Sequence, residues 1–303
     1  MSTWNEYILA CSLNDVFQAL SAATGTARLV AGGTDLLLEI QQGHHAPVDT
    51  LIDVSCIPEL NILEVRGAEL FIGAGVPVSQ VTESSLVIEH ARAVSEACGL
   101  IGGPQVRNTA TLGGNVAHAL PAADGMIALV AMDAEVEIAS PDGLRRAPIL
   151  SLFRGPGQST LDSKRELLVG FYLPLRACGE ASAFSRVMRP QGVALPILNL
   201  AVWLSRAGEK IEAVRIAVGP AGPTPRRALA VEDSLCGQLF SEETLICARQ
   251  VWHQAMRFRT SPARATAEYR FHLSGHLLDD VIRSAWQRTS ASPLRVVEKE
   301  VVG

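Results

Sequence analysis

Two glycine-rich turns hold the residues best suited to chemistry in this chain: Val30-Ala31-Gly32-Gly33-Thr34-Asp35-Leu36 and Thr109-Ala110-Thr111-Leu112-Gly113-Gly114-Asn115. Each follows an apolar or β-branched run and sets a Gly-Gly pair beside a hydroxyl and a short polar side chain. A glycine pair lets the backbone take positive φ and approach a bulky anion with no Cβ in the way. Successive N–H groups of such a turn form a concave donor site for phosphate oxygens. Thr34, Asp35, Thr111 and Asn115 add side-chain donors and acceptors around it. A pyrophosphate has two phosphates to hold, and two such turns point to a cradle for one. Asp35 reads equally well as a turn-forming Asx residue. Asn115, placed directly after its glycine pair, reads as a ligand residue.

Other chemistries find less support. Gly73-Ala74-Gly75-Val76-Pro77-Val78 has the outline of a dinucleotide fingerprint. It lacks the third small residue at Val78, and Pro77 stands where a helix should open, so it reads as a turn between strands. No Gly-x-x-x-x-Gly-Lys-[Ser/Thr] motif occurs, and no nucleophile elbow supports a catalytic triad. The six cysteines are scattered singly, without a Cys-x-x-Cys pair for zinc or an iron–sulfur cluster. Cys56, Cys98 and Cys247 lie in apolar stretches and read as small buried hydrophobes. His44 and His45 fall in a loop. His272 and His276 form an i, i+4 pair whose ordinary reading is structural, because no carboxylate partner stands nearby.

The elements that must position the two turns follow the hydrophobic pattern. Ser12 to Asp15 resembles a capping box opening a helix from Val16 to Ala22. Ala27 to Ala31 is a strand ending at the first turn, Leu36 to Gln41 restarts an apolar segment, and Thr50 to Val54 is a second strand. From about Leu63, the segment Leu70 to Pro77 is strand-like and a helix spans Ser84 to Gly99. Gly102 to Asn108 is irregular, Ala123 to Met132 is helical, and Glu135 to Ala139 and Glu166 to Leu173 are strands. Beyond Ala181, Leu195 to Leu204 and Ile211 to Val218 alternate as antiparallel strands joined by Arg206 to Lys210. Amphipathic helices follow at about Ser241 to Arg257 and Ala263 to Arg288. The expected domains are 1–175 (subdomains about 1–62 and 63–175) and 181–289, with a loose tail at 290–303.

Composition sets outer limits. With 303 residues, 48% hydrophobic and 19% charged, the chain has enough apolar material for two cores. A net charge of −5 leaves no basic stripe for nucleic acid. No apolar run approaches the roughly 20 residues of a membrane span. The N-terminus has no basic and apolar leader, so a cytoplasmic location is expected.

Taken together, four segments resemble the FAD-binding subunit of molybdenum hydroxylases, the family of the carbon monoxide dehydrogenase medium subunit and the xanthine dehydrogenase flavin subunit. They are Ala31 to Leu36, Ile101-Gly102-Gly103-Pro104-Gln105-Val106-Arg107-Asn108, Ala110 to Asn115, and Pro121-Ala122-Ala123-Asp124 followed by Leu129 to Glu137. The similarity runs on to Glu268-Tyr269-Arg270. It implies an α+β fold: a vanillyl-alcohol-oxidase (PCMH-type) FAD-binding domain of two α/β subdomains, then a C-terminal domain with a three-stranded antiparallel sheet and helices.

By the same resemblance, Ala31, Gly32, Gly33, Thr34, Asp35 and Leu36 cradle the FAD pyrophosphate together with Thr111, Gly113, Gly114 and Asn115. Asp124 matches a cofactor-contacting carboxylate; as a residue near a helix start it also reads as an N-cap. Ile101 matches an apolar position near the adenine or flavin, Leu168 lies in a strand approaching the cofactor, and Arg186 stands near a family lysine. Arg107 reads as a structural, carbonyl-binding residue. His118, Leu120, Val193 and Ala194 depart from the family pattern on the side that faces the flavin.

The resemblance further implies an oxidoreductase subunit of a hetero-oligomer. A molybdopterin-binding large subunit would oxidise substrate and a [2Fe–2S] small subunit would relay electrons. FAD on this chain would pass them to NAD, a quinone or oxygen. No catalytic side chain and no metal site are expected here. Two other readings stand beside it: a self-contained FAD-dependent reductase or oxidase of the same superfold, and a non-redox nucleotide-binding protein.

Overall fold

The computed structural model describes residues 4–43, 48–188, 195–261 and 264–290. His44, His45, Val193, Ala194 and the tail beyond residue 290 lie outside them.

The chain begins with β1 (Glu6–Leu9), α1 (Leu13–Ala22), β2 (Ala27–Val30), α2 (Leu36–Gln41) and β3 (Thr50–Asp53). Helices intervene between the strands, so the connections are crossovers and the sheet is parallel, in the order β1-β3-β2. The expected cap is present: the Ser12 side chain accepts from Asp15 N, and Asp15 accepts from Cys11 N at 2.9 Å. Val16, Ala19 and Leu20 of α1 share a core with Ile52 and Val54, while Leu36, Leu37 and Ile40 of α2 pack with Val30 and Leu51. The sheet is therefore covered by one helix from each group.

A second unit follows: β4 (Leu63–Arg66), β5 (Glu69–Gly73), α3 (Val78–Glu83), α4 (Ser85–His90), α5 (Arg92–Gly99), α6 (Pro104–Arg107), α7 (Leu112–Ala117) and α8 (Asp124–Ala131). Then come β6 (Glu135–Ser140), β7 (Gly143–Pro148), the short pair β8 (Phe153–Gly155) and β9 (Gln158–Ser159), and β10 (Leu167–Pro174). Five of these strands form an antiparallel sheet, β4-β5-β10-β6-β7, with the wholly apolar β10 at its centre. An antiparallel sheet has no dinucleotide-fold βαβ unit. Gly73 to Val78 does not join two strands, however. It leads from β5 into α3, and Pro77 is the residue that caps the helix. Proline fits there because the first helical N–H groups have no internal partner. The helix expected over Ser84 to Gly99 is two helices broken at Ala91 (φ −141°, ψ 52°), and the irregular stretch after Gly103 contains the single turn α6.

The C-terminal part comprises β11 (Glu180–Met188), β12 (Pro196–Ala207), β13 (Lys210–Gly219), β14 (Arg226–Arg227), α9 (Leu229–Leu235), α10 (Glu242–Ala255) and α11 (Ala267–Arg288). Its antiparallel sheet runs β11-β12-β13-β14, so a two-residue fourth strand joins the three expected. Strand alternation makes this sheet a partition. Leu198, Leu200, Val202 and Leu204 face the core built with α9, α10 and α11, whereas Ala201 and Trp203 pack against the core of the preceding unit. Cys98 is buried as expected, but Cys56 and Cys247 are exposed. An apolar neighbourhood in sequence did not place them on the inner side of their elements.

Candidate functional site

The first glycine turn leaves β2 and enters α2. Gly33 has φ +66°, a backbone conformation that side chains disfavour. At Gly32 the constraint is contact: a Cβ would lie 2.0 Å from the Thr109 carbonyl oxygen and 2.9 Å from Ala110 Cα. The two turns, remote in sequence, are packed backbone to backbone. Beyond this contact, the N–H groups of Gly32, Gly33, Thr34, Asp35 and Leu36 donate to no acceptor among the described residues. A run of free amide donors is suited to receive an anion. Asp35 is exposed and makes no capping bond, so its carboxylate does not close an Asx turn.

The second turn is built differently. A bulge between Leu168 and Gly170 in β10 releases the Val169 carbonyl, which accepts from Ala74 N at 2.8 Å. Ala74 O in turn accepts from Gly113 N at 2.9 Å, Val76 O from Leu112 N at 3.3 Å, and Ala110 O from Val78 N at 2.9 Å. A Cβ on Gly113 would meet Ala74 at 2.5 Å, so Gly113 is glycine in order to let this seam close. Thr111 caps α7 by accepting from Gly114 N at 3.0 Å, and Asn115 N donates to Thr111 O. The four N–H groups from Leu112 to Asn115 are thus occupied, and the second turn offers a bare surface where amide donors were expected. Gly114 is exposed, and a Cβ there would meet only Thr111 Oγ1, at 3.1 Å. Packing within the protein does not explain why residue 114 is glycine.

The helices opened by the two turns are joined at their sides, with His118 Nε2 lying 3.4 Å from Glu39 Oε1. Leu120, two residues on, is 38% exposed. Of the residues expected at the site, Asn115 leads away from the turns. Its Oδ1 accepts from Met126 N at 3.3 Å, beside Gly125, where a Cβ would approach that oxygen to 2.9 Å.

Next to Gly125 stands Asp124, the first residue of α8. It is 4% exposed and forms no N-cap; Ala123 holds that position. Its carboxylate pairs with Arg186 of β11 and accepts from Asn199 Nδ2 of β12 at 2.7 Å. Burial pushes the Asp124 carboxyl up from its ordinary value, against the pull of the Arg186 charge and of the two hydrogen bonds. Arg186 Nε and Asn199 Oδ1 are buried without partners. Asn199, fully buried and also bonded to the Ala122 carbonyl, escaped the sequence reading. Its signal was a lone amide within the apolar run Leu195 to Leu204.

Two expected residues are peripheral to these contacts. Leu168 is a core residue, 5% exposed, next to the bulge that anchors the second turn. Ile101 is half-buried, and its carbonyl accepts from Arg107, which also bonds the Gly102 carbonyl at 2.8 Å. Arg107 thus has the structural role expected of it. Among the described residues, no group of three His, Cys, Asp or Glu side chains is placed to hold a metal ion. His272 and His276 stand edge to face, with ring centroids 6.3 Å apart.

The geometry defines a class. Free amide donors at the first turn, packed through Gly32 against Thr109 of the second, are suited to a phosphate-type anion, and no metal-holding group stands among the described residues. The chain belongs to the family described as FAD binding domain in molybdopterin dehydrogenase, whose model matches residues 3–176. Residues 182–285 match the CO dehydrogenase flavoprotein C-terminal domain. The chain is 31% identical to the xanthine dehydrogenase FAD-binding subunit of Escherichia coli O157:H7, covering 94% of this chain and 97% of that one. It is 28% identical to the carbon monoxide dehydrogenase medium chain of Hydrogenophaga pseudoflava, covering 93% and 97%. Among solved structures, carbon monoxide dehydrogenase from that organism superposes with a TM-score of 0.88 at 28% identity, covering 94% of this chain and 98% of that one. Quinoline 2-oxidoreductase from Pseudomonas putida 86 gives 0.87 at 25%, covering 95% and 98%.

Proposed function

We propose that this chain holds FAD at the paired turns and acts as the electron outlet of a molybdenum hydroxylase. A [2Fe–2S] small subunit and a molybdopterin-binding large subunit are its partners, and NAD, a quinone or oxygen is its acceptor. The observation that carries the reading is the contact of Gly32 with Thr109 beside five amide donors that have no acceptor among the described residues.

FAD, when bound, supplies chemistry that accepts electrons singly or in pairs. The chain's own residues bind and orient. The amides of Gly32 to Leu36 supply donors to the diphosphate, and Gly114 leaves room for it. Thr34, Asp35 and Thr111 surround it with hydroxyl and carboxylate groups, while Asn115 ties α7 to the start of α8. Ala31 and Leu36 flank the first turn, and Gly113 and Leu168 fix the second in place. Ile101 offers an apolar contact to the rings. Asp124 and Arg186 set a carboxylate and a guanidinium against the cofactor, their charges largely cancelling. No side chain is required to move a proton, in keeping with a role limited to electron transfer.

Residues 1–175 form the binding domain in this reading and 181–289 the C-terminal domain, and the protein works in the cytoplasm. The test is native co-purification after co-expression with the candidate partner subunits, followed by an absorption spectrum. A yellow complex containing molybdopterin and iron–sulfur chains is expected. A colourless chain that takes up no FAD, or substrate turnover by the isolated chain, would overturn the proposal.

A further inference from the structure

The motif Glu268-Tyr269-Arg270 is not among the residues expected at the flavin site. Arg270 lies in the first turn of α11, 2% exposed and among the largest fully buried side chains. Its Nε has no partner, and no carboxylate pairs with it among the described residues. Three other buried or half-buried arginines have acids: Arg186 pairs with Asp124, Arg176 with Glu89 and Arg227 with Glu232. The charges nearest Arg270 are of its own sign. Burial first, then Arg264 and Arg259, pull its guanidinium below the ordinary value. Arginine nonetheless stays protonated in proteins, and a buried charge without a counter-ion is strongly unfavourable.

The position is also informative. Arg288, at the far end of α11, donates to the Ser182 carbonyl near the start of β11, so Arg270 stands at the opposite end of the helix from this tie. Tyr269, beside Arg270, is 49% exposed, an aromatic of the kind enriched at protein interfaces.

We propose that Arg270, flanked by Arg259 and Arg264, is a receptor for an oxyanion, either a carboxylate carried by a partner chain or a free phosphate-type anion. The guanidinium fork matches both through paired N–H donors. The partner-borne source rests on the subunit reading above; the anion chemistry does not.

The test uses the full chain loaded with FAD and the co-expressed complex, each as wild type, Arg270→Met and Arg270→Lys. Melting temperature is followed against inorganic phosphate at constant ionic strength. For the wild-type chain a rise of about 3 °C is expected at ten times the dissociation constant. Arg270→Met should melt higher than wild type without phosphate, because an unpaired charge is gone, and should not respond to phosphate. Arg270→Lys should keep a reduced response. In the complex, loss of the wild-type response identifies a partner carboxylate at Arg270, and its persistence identifies a free anion. An Arg270→Met chain that fails to fold, melts lower than wild type without phosphate, or responds to phosphate as wild type does overturns the proposal. Flavin absorbance in the same samples reports separately on the cradle.

Discussion

A methyl group on residue 32 would sit 2.0 Å from the carbonyl oxygen of Thr109. Gly32 lies in the passage from β2 to α2 and Thr109 in the passage from α6 to α7, so this contact sets the spacing of the two turns. The hydrogen-bonded seam from Val169 through Ala74 to Gly113 fixes the second turn on the central sheet, and the first rests against it.

Replacing Gly32 by alanine is therefore expected to push the turns apart. A rigid backbone obstacle makes this an overpacking change costing about 1–3 kcal/mol, with flavin content falling alongside. Urea denaturation and flavin stoichiometry measure both. Wild-type values for the two would mean that the turns need not touch.

Gly114→Val should behave differently. The space around residue 114 is open apart from Thr111 Oγ1, so the fold should survive with a loss of about 1 kcal/mol or less from the cap. Flavin should be lost, since the valine branches occupy the bare surface. Circular dichroism and the absorption spectrum of the purified variant test this, and a yellow Gly114→Val protein at wild-type stoichiometry would remove the second turn from the site.

The buried pair Asp124–Arg186 joins the two halves of the chain. Breaking a buried pair from one side is typically worth about 3–5 kcal/mol, because the remaining charge is stranded. Asp124→Leu and Arg186→Met are each expected to destabilise by that order, and the double variant by much less than their sum. A double-mutant cycle measures the coupling. Additive losses would show that the two charges do not depend on each other.

His90 gives a pH dependence of definite sign. Burial lowers its proton affinity and the Arg176 charge adds to this, outweighing the opposite effect of Glu89. Its Nδ1 accepts from Arg176 N at 3.2 Å, a bond that a proton on Nδ1 would abolish. The unfolded chain thus binds a proton near the ordinary histidine value, about 6.5, while the folded chain resists it. The stability contributed is complete above that pH and is lost as pH falls through it toward the folded value. His90→Gln should show a shallower fall in unfolding free energy between pH 7.5 and 5.5 than wild type. Parallel pH profiles would exclude the effect.

Much of this architecture was legible in local residue patterns. Ser12 with Asp15 marked the first helix, the alternation of Leu195 to Leu204 marked the partition strand, and the glycine pairs marked the turns. Failures arose where tertiary contacts overrode local signals. Nothing in Ser84 to Gly99 announces a break, which falls where His90 turns inward to meet Arg176. The proline at residue 77 looked like an obstacle to a helix and is its first cap. Apolar neighbours suggested burial for Cys56 and Cys247, but which side of an element faces inward is decided by its partners. Asn199 and the inward course of Arg270 are likewise set by contacts across the fold.

The ties across the partition sheet have a consequence for how such a chain can be divided. Residue 124 carries a buried negative charge whose neutralising cation lies in the next module, and Glu96 of α5 likewise receives Arg288 from the last helix at 2.7 Å. A protein ending after β10 would keep both acids and lose Arg186 and Arg288, with Glu96 retaining Arg92 of its own helix. The two modules are thus electrostatically unfinished alone, and recombination or truncation between them should yield a folded flavoprotein only when each brings its charge complement along.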